Sequence, residues 1–195
     1  MTRMIRHYAT VALMAAITSI STPSIAADYV IDTKGAHASI NFRVKHLGFS
    51  WLVGRFDKFS GNFTFDANDA AASKVKVEID TASVSSNHAE RDKHLRSADF
   101  LDVAKFPTAT FESNKVTLEG ADKATIVGNF TMRGVTKEIT INASRVGGGQ
   151  DPWGGTREGF EGTTKIALAD FGITKDLGPA SKDVELTLHV EGVKQ

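Results

Sequence analysis

The chain has 195 residues, with 23 basic and 23 acidic side chains and no cysteine. This length fits one ordinary domain beside a short leader, and a domain of that size can bury a core without cross-links. The lack of cysteine excludes disulfides, thiolate catalysis, iron–sulfur clusters and lipoprotein acylation, and the balanced charge argues against a nucleic-acid partner.

The first predicted element, residues 1–26, is typical of a secretory signal peptide. Two arginines precede a run of apolar and small residues, and the small residues Ser24 and Ala26 form a suitable cleavage pair. The run is shorter than the ~20 residues of a membrane-spanning helix, which disfavours an uncleaved anchor. We therefore predict cleavage after Ala26 and export to the periplasm. The remainder, residues 27–195, forms one domain with 21 basic and 23 acidic residues.

Most of the remaining chain has the alternation of apolar and polar residues that is typical of half-buried β-strands. One short strand and eight longer ones are predicted. They cover residues 29–31, 39–45, 56–66, 74–80, 109–118, 126–132, 139–143, 160–169 and 184–190. Short turns join most of them, so we predict an all-β protein with an antiparallel eight-stranded barrel. Residues 46–54 are predicted as a looser apolar segment, and residues 147–155 as a loop.

Residues 87–107 contain the one predicted helix, which is short and very polar. Asn87 is a suitable N-cap, and Glu90 lies three residues further on, as in a capping box. Leu95 belongs to a narrow apolar strip that is too small to support a core. The apolar pair at 100–101 follows. We therefore predict a polar helix that caps one end of the barrel, with an aromatic plug beside it.

The inward faces of the predicted strands are rich in phenylalanine. They form either a solid core or the wall of a cavity for an apolar ligand, and small residues such as Gly61 and Gly128 on these faces favour the cavity. The candidate ligand-binding residues are Phe42, Val44, Trp51, Phe63, Val75, Val77, Ile79, Leu95, Phe100, Phe111, Ile126, Phe130, Met132, Ile139, Ile141, Phe160, Leu186 and Leu188.

Other chemistries have weak support. His88 and His94 are six residues apart and point about 120° away from each other on a helix, so they do not form a zinc-binding pair. No Gly-x-Ser-x-Gly motif occurs. We predict no catalytic residue, no metal and no cofactor. Arg91 and Arg96 either form ion pairs along the helix or contact an anionic head group.

Four segments resemble the YceI family of periplasmic polyisoprenoid-binding proteins. They read NHAERDKHLRSADFL at 87–101, DPWGG at 151–155, DLGP at 176–179 and FRVKHLGFSW at 42–51. The similarity extends over the whole predicted mature chain. It implies a lipocalin-like barrel whose interior binds a long isoprenoid chain, such as an isoprenoid quinone or a polyprenyl lipid, without catalysis. Lipid carriage, lipid storage and a role in stress response are the activities that it suggests.

Three alternatives remain. The same barrel binds a fatty acid or a fatty amide; the chain is an enzyme that uses His88, Glu90 and His94; or it binds another envelope protein. The candidate partners besides the lipid are the membrane surface, a membrane redox protein and a second copy of the chain.

Overall fold

The computed structural model of the protein describes residues 26–195, so the predicted leader lies outside this range except for Ala26. The described residues form eleven strands and one α-helix. The strands are β1 (Ala27–Ile31), β2 (Ser39–His46), β3 (Ser50–Phe56), β4 (Phe59–Phe65), β5 (Lys74–Asp80), β6 (Val84–Ser85), β7 (Thr108–Leu118), β8 (Lys123–Met132), β9 (Val135–Gln150), β10 (Thr156–Ala167) and β11 (Asp183–Lys194). The helix α1 spans Ala89–Arg96, and single 3-10 turns cover Ala70–Ala72, Thr81–Ser83, Leu168–Phe171 and Pro179–Ser181.

Eight of the strands form a closed antiparallel ring. Its order is β1-β4-β5-β7-β8-β9-β10-β11, and β11 pairs back onto β1. The closing register places Tyr29 opposite Lys194 and Ile31 opposite Gly192. Closure leaves no open sheet edge within the ring and encloses an interior. The predicted eight-stranded antiparallel barrel is therefore confirmed.

The other three strands extend the sheet beyond the ring. β11 pairs with β1 near its C-terminus and with β2 through residues 185–189. β3 pairs with β2 along its whole length, but with β6 only at Arg55 and Phe56. In the described chain, residues 50–54 of β3 therefore have no strand on their outer side.

The register defines two ends of the barrel. The β2–β3 turn, α1 and the β8–β9 turn lie at one end, which we call the helix end. The β4–β5, β7–β8 and β9–β10 connections lie at the other, which we call the turn end. Within residues 26–195, no helix has the length and the apolar character that crossing a membrane requires.

Two segments predicted as irregular are strands. Residues 50–56 form β3, in which Leu52 and Phe56 point inward and Trp51 and Val53 point outward. Apolar residues on both faces hide the alternation in the sequence. β9 continues to Gln150 through residues predicted as a loop, because β10 pairs with it from Thr156 onward. The β9–β10 hairpin is therefore longer than predicted.

The helix end contains the most tightly packed part of the core. Val84 and Phe171 are each 1% exposed, and Phe100, Leu101 and Ile173 are buried around them. Three of these residues come from irregular segments between strands. The predicted aromatic plug beside the helix is thus present as a packed layer.

An aromatic cluster lies inside the ring where β1, β4 and β10 meet. The rings of Tyr29 and Phe63 stack with centroids 4.9 Å apart, and Phe160 meets Phe63 edge-on at 5.4 Å. Such ring pairs add to the stabilisation that burial alone provides. Burial also raises the pKa of the Tyr29 hydroxyl.

Candidate functional site

An apolar cavity runs through the barrel and reaches residues at both of its ends. Its volume is about 790 Å³, which is within the range of ligand pockets in proteins. Val75, Val77 and Ile126 line its middle and are only half-buried, although each is an inward-facing side chain of a ring strand. Protein interiors are normally close-packed, so half-buried apolar side chains inside a barrel mark a channel.

Seventeen of the eighteen predicted ligand-binding residues line this cavity. Strand alternation correctly predicted the inward direction of the fifteen that lie on strands; the other two, Leu95 and Phe100, lie on and beside the helix. Contact of these residues with a ligand stays a prediction. The seventeen are Phe42, Val44, Phe63, Val75, Val77, Ile79, Leu95, Phe100, Phe111, Ile126, Phe130, Met132, Ile139, Ile141, Phe160, Leu186 and Leu188.

Trp51 does not line the cavity, and its predicted place in the wall is wrong. Its side chain lies on the outer face of β3 and is 42% exposed. The guanidinium carbon of Arg43 is 4.3 Å from a ring centroid of Trp51, and Lys45 Nζ is 5.5 Å away. The neighbouring Leu52 points inward instead. An aromatic beside two cations on a strand surface gains a favourable cation–π interaction without being buried.

The two arginines predicted as head-group contacts are held by the protein backbone. Arg96 lies outside the cavity wall, where its guanidinium donates hydrogen bonds of 2.7 Å to the carbonyl oxygens of Ala82 and Val84. Arg91 lines the cavity and donates to the hydroxyl of Ser86 at 2.7 Å and to the carbonyl oxygen of Ser86 at 2.6 Å. The assignment of Arg96 to a head group is therefore not supported, whereas Arg91 borders the channel.

A buried carboxylate anchors the helix to the barrel. Asp92 accepts hydrogen bonds from both the backbone N–H and the hydroxyl of Ser86. Burial opposes the ionisation of Asp92. The two bonds from Ser86, together with the charges of Arg96 and Arg91, outweigh that effect and hold its pKa below the ordinary value. The helix is therefore fixed by its polar residues rather than by its small apolar strip.

The helix begins one residue later than predicted. His88, not Asn87, is the N-cap, and its Nδ1 accepts a 3.2 Å hydrogen bond from the backbone N–H of Arg91. Asn87 has φ of 61° and lies before the cap. Glu90 consequently does not occupy the capping-box position. An imidazole nitrogen can replace the side-chain oxygen that the sequence rule expects.

The three residues of the enzyme alternative are not gathered on the cavity wall. His94 lines the cavity, but exposed His88 and Glu90 do not. His94 Nε2 is 2.8 Å from Asp99 Oδ2, and Lys175 Nζ is 3.1 Å from the same oxygen. The hydrogen bond with His94 and the contact with Lys175 lower the pKa of Asp99. This arrangement connects the helix to the crossing segment that carries Lys175.

Toward the turn end, the lining includes Arg145, which forms an ion pair with Glu158. Arg145 forms two hydrogen bonds with the buried Glu158 carboxylate, of 2.9 and 3.0 Å. The bond to Glu158 raises the pKa of Arg145 above its ordinary value. The Glu158 carboxylate therefore neutralises the charge that Arg145 brings to the channel wall.

One group of potential metal ligands occurs in the described chain: Asp32, His37 and Glu191. It lies outside the cavity wall. Arg157 donates to Asp32 Oδ2 at 2.8 Å and to Glu191 Oε1 at 2.5 Å, and it also bonds Asp151 at 2.7 Å. A guanidinium thus occupies the carboxylates, and the group is a salt-bridge cluster between three chain segments.

Besides inward residues of predicted strands, such as Ile40 and Ile166, sequence reasoning missed wall residues in two further kinds of place. Leu52 and Phe56 belong to β3, where apolar residues on both faces leave no alternation to identify the inward set. Leu47, Leu177 and Ile173 lie in turns and crossings, where no periodicity identifies an inward side chain. Only the packing of these segments against the barrel brings them to the channel.

The barrel and its channel define a class of small-ligand-binding barrels, and comparison with known proteins gives the family. The model of the YceI-like domain matches residues 29–192. The chain therefore belongs to the YceI-like family. A UPF0312 protein of Azotobacter vinelandii is 62% identical over 172 residues, which cover 88% of this chain and 90% of that protein.

Solved structures have the same fold. BcnA of Burkholderia cenocepacia superposes with a TM-score of 0.73 at 22% identity, covering 83% of this chain and 98% of that one. A polyisoprenoid-binding domain of Saccharophagus degradans superposes with a TM-score of 0.61 at 17% identity, covering 86% and 98% of the two chains. At these identities the likeness extends to the fold alone.

Proposed function

We propose that this protein is a binding protein, not an enzyme, and that it encloses the hydrocarbon chain of a polyisoprenoid lipid in its barrel. The observation that carries the proposal is the channel of about 790 Å³ whose middle is walled by apolar side chains. Each methylene transferred from water to such a wall contributes roughly 0.8 kcal/mol, so a few isoprene units give useful affinity. The polyisoprenoid-binding domain with the same fold supports this choice of cargo.

The unfilled space between the channel walls favours an isoprenoid over a straight acyl chain. Mid-strand valines and isoleucines, such as Val75, Val77 and Ile139, do not fill the interior between opposite walls. An isoprenoid chain carries methyl branches along its length and so makes more contacts in a wide channel than a linear chain does. A fatty acid or fatty amide is the competing cargo.

The test is to extract the purified full-length protein with organic solvent and to identify the extracted lipid by mass spectrometry. We expect a series of masses that differ by one isoprene unit, either of an isoprenoid quinone or of a polyprenyl lipid. Delipidated protein should then bind geranylgeraniol more tightly than palmitic acid. If only fatty acids are extracted and the delipidated protein prefers palmitic acid, the cargo is a fatty acid and not a polyisoprenoid. Failure to bind either lipid would remove the lipid-binding proposal.

We also propose that the protein acts in the periplasm. The motif at residues 1–26 supports this location. Intact mass of the protein recovered from a periplasmic extract should correspond to a chain that begins at Ala27. Recovery from the cytoplasm with residues 1–26 still attached would contradict export.

A further inference from the structure

The turn between β2 and β3 carries a concentration of exposed apolar side chains. Leu47, Phe49, Trp51 and Val53 are 56%, 86%, 42% and 63% exposed. They lie within seven consecutive positions of the sequence. We call residues 45–53 the apolar hairpin tip. Exposed apolar patches of this kind mark surfaces that contact another apolar phase or a partner.

The four side chains do not share one face. Trp51 and Val53 lie on the outer face of β3, because Leu52 between them points into the cavity. Phe49 lies at the turn, just before β3 begins. Leu47 borders the cavity. A flat protein partner would cover only one of these directions, whereas insertion into the interfacial layer of a bilayer surrounds the whole tip.

The backbone holds an apolar residue at the turn in an unfavourable conformation. Leu47 and Gly48 have φ of 52° and 84°, and the backbone N–H of Phe49 donates a 2.9 Å hydrogen bond to the carbonyl oxygen of His46. This two-residue turn matches the twist of paired strands, but it favours Asn or Gly at both central positions. A leucine with positive φ lowers the stability of the fold. Strained backbone conformations of this kind are frequent at functional sites.

Two cations adjoin the exposed indole. Arg43 and Lys45 lie over the Trp51 ring. Arg43 bonds Glu185, whereas Lys45 has no ion pair with any described residue. Tryptophan with neighbouring lysine or arginine is typical of the membrane interface, where the ring lies at head-group depth and the cation meets lipid phosphates. The charge at the tip therefore suits an anionic surface.

We propose that the apolar hairpin tip inserts into the surface of an anionic phospholipid bilayer and directs the adjoining side of the cavity toward the membrane. The inference rests on the proposed function, because a lipid cargo must leave a membrane to enter the channel. Leu47 belongs both to the inserted tip and to the channel wall. It thus connects the bilayer to the channel with an apolar surface.

The alternative occupant is a second copy of the chain that pairs along the outer side of residues 50–54. That pairing would leave Phe49 outside the shared sheet, since it precedes the strand. It would also leave Leu47 outside the shared sheet, because Leu47 lies in the turn before β3. The bilayer therefore fits the tip better than a second copy does.

The experiment measures the binding of delipidated protein to vesicles of phosphatidylcholine alone and of phosphatidylcholine with phosphatidylglycerol. The wild type should bind the anionic vesicles and release from them at high salt. The double substitution Phe49→Ser and Val53→Ser should lower the partition coefficient about tenfold or more, because two inserted side chains are lost. Trp153→Ser is the matched control: Trp153 is 82% exposed on the β9–β10 hairpin, and its loss should leave binding unchanged.

The position of Trp51 provides a direct readout. Trp51 and Trp153 are the two tryptophans of the chain, so the variant Trp153→Phe has one indole, at the tip. Its emission should shift to shorter wavelength on anionic vesicles, and brominated lipids should quench it. Unchanged emission, or equal binding of the double variant and the wild type, would overturn the proposal. The wild type could instead sediment as a dimer, fail to bind vesicles and lose the dimer in the double variant. That result would assign the tip to a second copy.

A separate assay distinguishes failure of the membrane-docking proposal from failure of the lipid-binding proposal. Loading of geranylgeraniol from detergent micelles does not require docking on a bilayer. The double variant should therefore load from micelles at the wild-type level and load more slowly from anionic vesicles. Equal loading from vesicles by the double variant and the wild type would contradict docking, even if the channel binds the lipid. Vesicle binding without lipid loading from either source would retain docking and remove the lipid-binding proposal.

Discussion

Side-chain size at the middle of the ring strands separates the packed part of the interior from the channel. The sequence suggested that small residues such as Gly61 and Gly128 open the cavity. In the structure these positions receive neighbouring side chains instead: a Cβ on Gly128 would lie 2.5 Å from Phe111 Cζ, and one on Gly61 would lie 2.8 Å from Ile31 Cδ1. The channel exists because β-branched residues such as Val77 do not reach across the barrel.

Val77→Phe tests whether the channel has room for a larger group. Val77 is half-buried and borders the cavity, so a phenyl ring can extend into the channel. We expect the melting temperature of the delipidated variant to stay near that of the wild type, while bound lipid falls. The melting temperature is measured by calorimetry on delipidated samples, because bound ligand itself raises it. Bound lipid is measured by extraction from samples purified without delipidation.

Phe171→Trp is the matched control for this substitution. Phe171 is 1% exposed at the helix end, does not line the cavity and packs edge-on against Phe130 at 5.4 Å. Overpacking of such a site typically costs about 1–3 kcal/mol, so its melting temperature should fall. Equal destabilisation by both substitutions would show that the wall around Val77 is as closely packed as the core.

Gly192→Ala tests the seam at which the barrel closes. A Cβ at this position would lie 2.4 Å from Phe63 Cε1 and 2.9 Å from Tyr29 Cβ, so the stacked rings must move. We expect a loss of about 1–3 kcal/mol in the free energy of unfolding, measured by urea denaturation. Gly147→Ala is the control, because nothing lies within 4 Å of its Cβ position. A stability of Gly192→Ala equal to that of the control would mean that the seam is not closely packed.

Among the elements, the helix is the one whose attachment the sequence could not predict. Its narrow apolar strip predicted a polar helix that caps one end of the barrel, but not what holds the helix there. The structure fixes it instead through hydrogen bonds of Asp92, Arg91 and Arg96 to the segment 82–86 that precedes it. These bonds join residues between five and fourteen positions apart along the chain, and no sequence rule gives their geometry.

Lys93→Pro tests whether the helix controls access to the channel. Lys93 is exposed at the middle of α1, and an interior proline costs about 3 kcal/mol through the lost hydrogen bond and the clash with the preceding turn. We expect the barrel to remain folded, with faster exchange of the amide hydrogens of α1 and faster lipid release. Lys93→Ala, which keeps the helix, should release lipid at the wild-type rate. Unchanged release from a variant with a melted helix would show that α1 is not a gate.

At the scale of the whole molecule, one arginine holds three distant segments together. Arg157 on β10 bonds Asp32 after β1, Asp151 in the β9–β10 turn and Glu191 on β11. The Asp32 pKa falls from 3.8 to about 2, chiefly through the hydrogen bond from Arg157, with Gly35 and His37 adding to it. The cluster thus reinforces the place where β1 closes the ring against β11.

Asp32→Asn should therefore destabilise the protein in a pH-dependent way. Because the pKa of Asp32 is lower in the folded state, its stabilising effect is present above the ordinary value of 3.8 and disappears as the pH falls toward about 2. The variant should melt below the wild type at neutral pH, and the two melting curves should converge in strong acid. Asp57→Asn, which removes an exposed pair with Arg55, should have little effect. A constant difference at every pH would exclude the ionisation of Asp32 as its cause.

The sequence by itself determined the elements whose two faces differ. Strict alternation, as in β5 and β11, identified the strands and gave the direction of fifteen wall residues, because a period of two fixes which side chains share a face. The segments at 87–101 and 151–155 identified the family, which the match to the YceI-like domain over residues 29–192 confirms.

Only the tertiary structure decided features that depend on contacts between distant segments. Trp51 and Leu52 are both apolar, so their sequence could not show which one faces the channel; pairing of β3 with β2 decides it. The salt-bridge cluster at Arg157 and the turn and crossing residues on the wall have no periodic signal. Their places follow from barrel closure, which fixes each strand register by pairing residues far apart in the chain.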